Sequence, residues 1–244
     1  MKTLVIIPSR LSASRLPGKP LLKINGLSII SHVYKKAQEA NIGEVFVAAE
    51  DQEIIEDVKK NGGEAILTNN NHKTGTDRIY EAFVKLGRTD IDLIMNLQGD
   101  EPLMNIEDIQ DLNKHMIQTK RDLGTLAAKI NNKKVFGNND IVKVITEESL
   151  DDTKFPRAIN FMRKLDKENN QAYHHLGIYC YNVEILKRFI SFKQSQNEIK
   201  NKLEQLRALD NNINVNVALA KSSPIGVDTK EDFMAIKKIM EYKS

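Results

Sequence analysis

The sequence predicts an α/β protein with a Rossmann-like, doubly wound, mixed but mostly parallel sheet and a smaller β-rich subdomain. Three observations carry this expectation. Thr3–Ile7, Val45–Ala49, Glu64–Leu67 and Leu93–Leu97 are short apolar runs separated by segments of helical period, the pattern of parallel strands joined by right-handed crossovers. Leu93–Leu97 breaks at Gly99 and Pro102, so Asp100 and Glu101 fall just past the C-terminal end of a central strand, where open α/β sheets hold their ligands. Beyond about residue 120 the alternation stops. Thr125–Ile130, Ile141–Ile145 and Ala172–Tyr181 read as strands without full helices between them, a mixed or antiparallel region at about 125–182 within one domain of 244 residues.

Composition narrows the class. Hydrophobic residues are 41% and charged residues 28%, ordinary for a soluble domain, and the net charge of +3 is too small to argue for nucleic acid. Cys180 is the one cysteine, so an intramolecular disulfide and a cysteine-based zinc site are both excluded. Nothing resembles a signal peptide or a membrane span, and a cytoplasmic location is expected.

Taken in order, Pro8 ends the first strand and opens a loop to Pro20 that carries Arg10, Arg15 and Lys19 with Ser9, Ser12 and Ser14. Pro17-Gly18 sets a turn that aims Lys19. Three cations at a strand end suit a polyphosphate, and a solvated basic loop is the alternative; neither the Gly-rich dinucleotide fingerprint nor a Walker A spacing is present. Ser28 caps a helix to about Asn41, and Asp51 opens another that ends at Gly62-Gly63. Thr76 caps the next, so Gly75-Thr76-Asp77-Arg78 forms a loop-to-helix N-terminus able to receive an anion or the edge of a base, or simply a helix cap. Asn105 with Asp108 starts a helix to about Thr119. His174 and His175 would point to opposite faces of a strand, which opposes joint chelation. Glu198–Leu209 reads as one helix, Ile213–Ala220 as a strand, and Thr229 with Asp232 as the capping box of the last helix. Asp228 is either part of that cap or a second carboxylate facing a cation at Asp100; two carboxylates with substrate phosphates suit Mg²⁺.

Several segments together resemble the nucleotidyltransferases that make CMP-sugars, and most closely the 3-deoxy-manno-octulosonate (Kdo) cytidylyltransferases. They are Ile6-Ile7-Pro8, Ser14-Arg15-Leu16-Pro17-Gly18-Lys19-Pro20-Leu21, Thr74-Gly75-Thr76-Asp77-Arg78, Asn96-Leu97-Gln98-Gly99-Asp100-Glu101-Pro102, Arg157-Ala158-Ile159, His175-Leu176-Gly177-Ile178-Tyr179, Leu203-Glu204-Gln205-Leu206-Arg207 and Gly226-Val227-Asp228-Thr229. Two positions depart from the family pattern: Asn160 stands where proline is usual, and His174 where a basic residue, often arginine, precedes the His-Leu-Gly-Ile-Tyr run.

The resemblance implies the nucleotide-diphospho-sugar transferase type of fold and a Mg²⁺-dependent transfer of CMP from CTP to Kdo for lipopolysaccharide synthesis. By it, Arg10, Ser14, Arg15, Lys19, Thr76, Arg78 and Gln98 bind CTP. Lys19, Arg15 and Asp100 carry the catalysis, and Asp100 with Asp228 binds Mg²⁺. Gln98, Arg157, His175, Glu204 and Gln205 bind the sugar, and the β-rich region also supplies a homodimer surface. A cytidylyltransferase for another acidic sugar such as sialic acid, or a non-catalytic nucleotide-binding homologue, are the alternatives.

Overall fold

The computed structural model describes residues 1–12, 15–165 and 169–242. In chain order, β1 (Thr3–Ser9), a 3-10 turn (Lys19–Leu21), β2 (Lys23–Ile24) and β3 (Leu27–Ser28) lead into α1 (Ile29–Glu39). Then come β4 (Gly43–Ala49), α2 (Gln52–Lys60), β5 (Ala65–Leu67), α3 (Gly75–Leu86), β6 (Leu93–Asn96) and α4 (Ile106–Thr119). The second half runs β7 (Leu123–Ala128), α5 (Lys134–Gly137), β8 (Lys143–Thr146), β9 (Ala158–Met162), β10 (Ala172–Asn182), α6 (Val183–Ser191), α7 (Gln196–Asn201), α8 (Leu206–Asp210), β11 (Val215–Leu219) and α9 (Lys230–Tyr242). The chain divides into two compact units: Lys2–Ile91, Met95–Gln110 and Pro224–Ser244 form one, and Met1, Asp92–Ile94 and Asp111–Ser223 the other.

The first unit carries the alternating α/β half. In it β1 is parallel to β4 from Thr3↔Gly43 to Ser9↔Ala49, and β4 is parallel to β5 on its other side. Leu4, Val5, Ile6 and Ile7 are all fully buried, which explains a continuous apolar run in place of alternation: both faces of the strand are covered. Ile29, Ile30, Val33 and Ala37 form the buried face of α1, and Ser28 caps it by accepting from the Ser31 N–H at 3.2 Å. The β2–β3 hairpin turns on Asn25 and Gly26, both at positive φ, as a type I′ turn requires. A cluster of Ile24, Ile29, Val227 and Ile236, with Leu16 and Phe233 against it, packs α9 and the segment before it onto β2 and α1.

The second unit is the β-rich half. β7 pairs with β10 antiparallel and with β11 parallel, and β8 pairs antiparallel with β10 and β9. The mixed, mostly parallel α/β class expected from the sequence is the one observed.

Three local expectations are corrected. β7 begins and ends two residues before the expected Thr125–Ile130, because Gly124 belongs to the strand: a Cβ there would lie within 2.9 Å of Met116, Leu112 and Phe155. The helix expected from Glu198 to Leu209 is broken, since Lys202 adopts φ 52° and ends α7. Residues nine apart on one helix point to opposite sides. The break lets Glu198 and Arg207 form a fully buried two-bond pair, with Nε to Oε2 at 2.8 Å and Nη2 to Oε1 at 2.5 Å. Finally, Thr74 rather than Thr76 caps α3: its hydroxyl accepts from the Asp77 N–H, and Asp77 accepts from the Thr74 N–H, each at 3.2 Å. Thr76 is inside the helix and buried.

Glycine 43 offers a direct test of the β1–β4 register. A Cβ built there would stand 1.9 Å from the Thr3 carbonyl oxygen, a distance only backbone movement relieves. Gly43→Ala is expected to destabilise the protein by about 1–3 kcal/mol or more in urea unfolding. Gly137→Ala, with open space around it, should stay within about 0.5 kcal/mol of the parent.

Candidate active site

The first unit holds a cavity of about 320 Å³. The ends of β1 (Pro8, Ser9, Arg10) and β6 (Gln98, Gly99, Asp100), the N-terminus of α3 (Thr74, Gly75) and Asp228 before α9 line it, together with Arg15 and Lys19. This is the crevice past the strand ends that the sequence indicated. Gly99 lets β6 approach β1 closely there, because a Cβ would come within 2.9 Å of the Pro8 carbonyl oxygen.

Its floor is a knot of charge. Lys19 Nζ donates to Asp100 Oδ2 at 2.5 Å, Asp228 Oδ1 at 3.2 Å and the Val227 carbonyl at 2.9 Å. Arg15 Nη2 reaches the other Asp228 oxygen at 2.9 Å. The 3-10 turn that aims Lys19 starts from Gly18 at φ 71°, tied by its N–H to the Leu11 carbonyl. Burial opposes the lysine's charge, but the Asp100 carboxylate, then Asp228, outweigh it and raise its pKa. Asp228 therefore faces Asp100 and leaves the cap of α9 to Thr229, whose hydroxyl accepts from the Asp232 N–H at 3.1 Å.

Beside the knot, the Glu101 carboxyl is pushed up to about 8 by its burial and then by the Asp100 and Asp228 carboxylates. Its buried Oε2 has no hydrogen-bond partner among the described residues. The two carboxylates that meet Lys19 are Asp100 and Asp228. That pair, converging on one cation, has the donor chemistry of a Mg²⁺ site completed by substrate phosphates. Among the described residues no group of three His, Cys, Asp or Glu side chains could hold a metal by itself.

The side of the cavity is a loop clamped to α3. Arg78 is 3% exposed, and its Nη1 donates to Thr68 Oγ1 at 2.7 Å and to the Asn69 carbonyl at 3.2 Å while Nη2 pairs with Glu50. Glu81 accepts from the Asn69 N–H at 3.0 Å, from Lys85 at 2.7 Å and pairs with His72. Residues 68–74 are thereby fixed against the first turns of the helix. The Asp51 side chain makes no cap bond to α2 but accepts from the Leu11 N–H at 2.7 Å, tying down the loop after Arg10.

Of the residues singled out from the sequence, Arg10, Arg15, Lys19, Arg78, Gln98, Asp100 and Asp228 come together at this cavity. Thr76 is buried in α3, and Ser14 lies outside the described residues. Arg157, His175, Glu204 and Gln205 belong to the second unit. There Arg157 is half exposed and 3.6 Å from Glu147, with its backbone bridged to Asn216. His175 and Gln205 are buried, and Glu204 partly so. His174 turns the other way from His175, to Ser223 Oγ at 2.6 Å. Cys180 is fully buried, and burial pushes its thiol pKa up, which suits packing. Sequence reasoning missed His72 and Lys73 at the cavity, and named Ser9 and Thr74, which also line it, only as members of the first loop and of the α3 motif. The Thr74/Asp77 spacing was a usable capping signal, whereas His72 is legible only through its pairing with Glu81, nine residues on.

A parallel sheet that gathers cations and two carboxylates past its strand ends is the architecture of a nucleotidyltransferase, and comparison with known proteins gives the family. A cytidylyltransferase family profile matches residues 4–220, and the chain belongs to the cytidylyltransferases. It is 41% identical to the 3-deoxy-manno-octulosonate cytidylyltransferase of Afipia carboxidovorans over 98% of this chain and 96% of that one. It is also 41% identical to the enzyme of the same name from Thermodesulfovibrio yellowstonii, over 98% of each chain. Among solved structures it matches CMP:2-keto-3-deoxy-manno-octonic acid synthetase complexed with CTP, at 32% identity and a TM-score of 0.90 over the whole of both chains. A UDP-glucose pyrophosphorylase complexed with UDP-glucose, at 13% identity and a TM-score of 0.73, shares the fold.

The Glu81 clamp predicts a pH dependence. Burial opposes ionisation of Glu81, but bonds from Lys85, His72 and the Asn69 N–H outweigh it and hold its pKa at about 2, below the ordinary 4.5. A carboxylate with a depressed folded-state pKa stabilises above its unfolded pKa, and that contribution is lost as pH falls through the folded one. Glu81→Gln is therefore expected to lower the urea midpoint at neutral pH, with the gap to the parent closing between about 4.5 and about 2. A gap independent of pH would mean that the clamp is not ionic.

Proposed function

We propose that this chain transfers CMP from CTP to Kdo, releasing pyrophosphate. One observation carries the reading: the Lys19–Asp100–Asp228 knot closes one end of a cavity lined by Arg10, Arg15 and Gln98. The names of relatives about 40% identical, and the CTP in the matching structure, support the choice of substrates.

In this reaction the Kdo anomeric hydroxyl attacks the α-phosphorus of CTP and the bond to the β-phosphate breaks. Arg10, Arg15 and Lys19 hold the triphosphate, and Lys19 and Arg15 stabilise charge growing on the leaving pyrophosphate. The clamped 68–74 loop and the α3 N-terminus shape the wall against which the nucleotide lies, and Gln98 presents an amide to base or sugar. Asp100 and Asp228 would hold Mg²⁺, which would supply positive charge beside the phosphates and Lewis acidity at the reacting oxygen. Arg157 offers a planar fork to the sugar carboxylate, and His175, Glu204 and Gln205 read its hydroxyls. The reading includes a homodimer and a cytoplasmic location. No helix among the described residues is long and apolar enough to cross a membrane.

Pyrophosphate release across a panel of nucleotides and sugars tests this. Release is expected with CTP plus Kdo, little with CTP plus sialic acid, and almost none with glucose 1-phosphate. Preference for a sugar 1-phosphate would overturn the choice of acceptor. Asp100→Asn and Asp228→Asn should each cost about 100-fold in turnover at saturating Mg²⁺, roughly 3 kcal/mol of transition-state stabilisation. The double variant should cost far less than the product, since the two act as a unit. Full activity in either single variant removes that residue from the site.

A further inference from the structure

Within β10, the register against β7 slips between Leu176 and Tyr179: Leu176 faces Leu126, yet Tyr179 faces Thr125. Gly177 and Ile178 are extra residues, a bulge that takes their backbone out of the regular ladder. Thr125, fully buried on β7, fills the gap with its hydroxyl. Its Oγ1 lies 2.7 Å from the Ile178 carbonyl, 3.3 Å from the Leu176 carbonyl and 3.0 Å from His175 Nε2.

A hydroxyl has one hydrogen, and a carbonyl oxygen can only accept. The 2.7 Å contact therefore takes the threonine hydrogen, and Thr125 Oγ1 is an acceptor towards the imidazole. His175 Nε2 must carry the ring proton. We propose that Thr125 is a positioning residue that fixes this Nε2–H tautomer, so that His175 presents Nδ1 as an acceptor to a hydroxyl of the acidic sugar and not to its carboxylate.

Three surroundings support it. His175 is 7% exposed, set edge-on to the Phe161 ring and beside Tyr179. Burial, and then His174, hold its pKa at about 3, so the ring stays neutral across the physiological range. An unprotonated ring nitrogen and a carboxylate oxygen both bring lone pairs and repel, whereas a hydroxyl donates. The carboxylate is then left to a cation such as Arg157. The tautomer follows from the hydrogen bonds alone; its use towards a sugar hydroxyl rests on the function proposed above.

The test is ¹⁵N NMR of the full-length protein with steady-state kinetics. The wild-type His175 is expected to show a protonated Nε2 and an unprotonated Nδ1, with the Nδ1 resonance moving on addition of Kdo and CTP. Thr125→Val should release the tautomer and raise the Kdo KM about tenfold, the scale of one lost hydrogen bond, with the CTP KM unchanged. Thr125→Ser should restore both readouts. A proton on Nδ1 in the wild type overturns the proposal, as does a folded Thr125→Val protein that loses the tautomer yet keeps the wild-type Kdo KM. If that variant fails to fold, an Nδ1 resonance unmoved by Kdo in a wild type that turns Kdo over overturns it equally. A wild type without Kdo turnover would count against the substrate assignment, while the tautomer stands or falls on its spectrum.

Discussion

The first unit depends on one ammonium group. Lys19 ties three stretches of chain together, reaching Asp100 81 residues away and Asp228 209 residues away. Without it, Asp100 and a backbone carbonyl would face Asp228, which keeps only Arg15, across a half-buried space, and an uncompensated carboxylate there costs far more than an exposed one. The backbone reinforces the meeting, since the Val227 N–H donates to the Asp100 carbonyl at 2.8 Å. Apolar packing makes it possible: Val227 and Ile236 join Ile24 and Ile29, so the last helix is held by ordinary burial while it delivers an acidic residue to the site. Stability and chemistry share the same few residues.

Around that knot, the polar wall is rigid by construction. Arg78 and Glu81 lie one helical turn apart on α3, and each reaches back to the loop before the helix, Arg78 through its donors and Glu81 through its acceptors. Between them they bond the Thr68 hydroxyl and both the carbonyl and the N–H of Asn69, which ties the start of the 68–74 loop to the helix. A site that has to orient a flexible triphosphate gains from such preorganisation, because less ordering is left for the moment of binding.

The second unit solves a different problem with similar means. It buries Glu198 against Arg207, and Arg207 in turn lies over the Phe189 ring at 4.6 Å. Such a pair is tolerable only because both charges are matched by geometry, and the price is a broken helix. At β10 the same logic appears in neutral form: a strand irregularity leaves a carbonyl without a ladder partner, and a buried threonine supplies the hydrogen bond.

Much of this was legible in the sequence. Strand runs such as Leu4–Ile7, the buried face of α1, the Ser28 and Thr229 caps, and the carboxylates past Leu97 are set by local rules of period, punctuation and capping, which act over a few residues. Local rules misplaced the α3 cap because two threonines, Thr74 and Thr76, both suit it, and only Asp77 bonding back to Thr74 decides between them. They could not see that Lys19 and Asp228 pair, that Arg78 and Glu81 hold a loop, or that Glu198 and Arg207 require a helix to break. Those are contacts between side chains whose sequence separation carries no periodicity. The order in which the chain returns to itself decided them: burial brings such charges within reach, and each charge then has to find a partner.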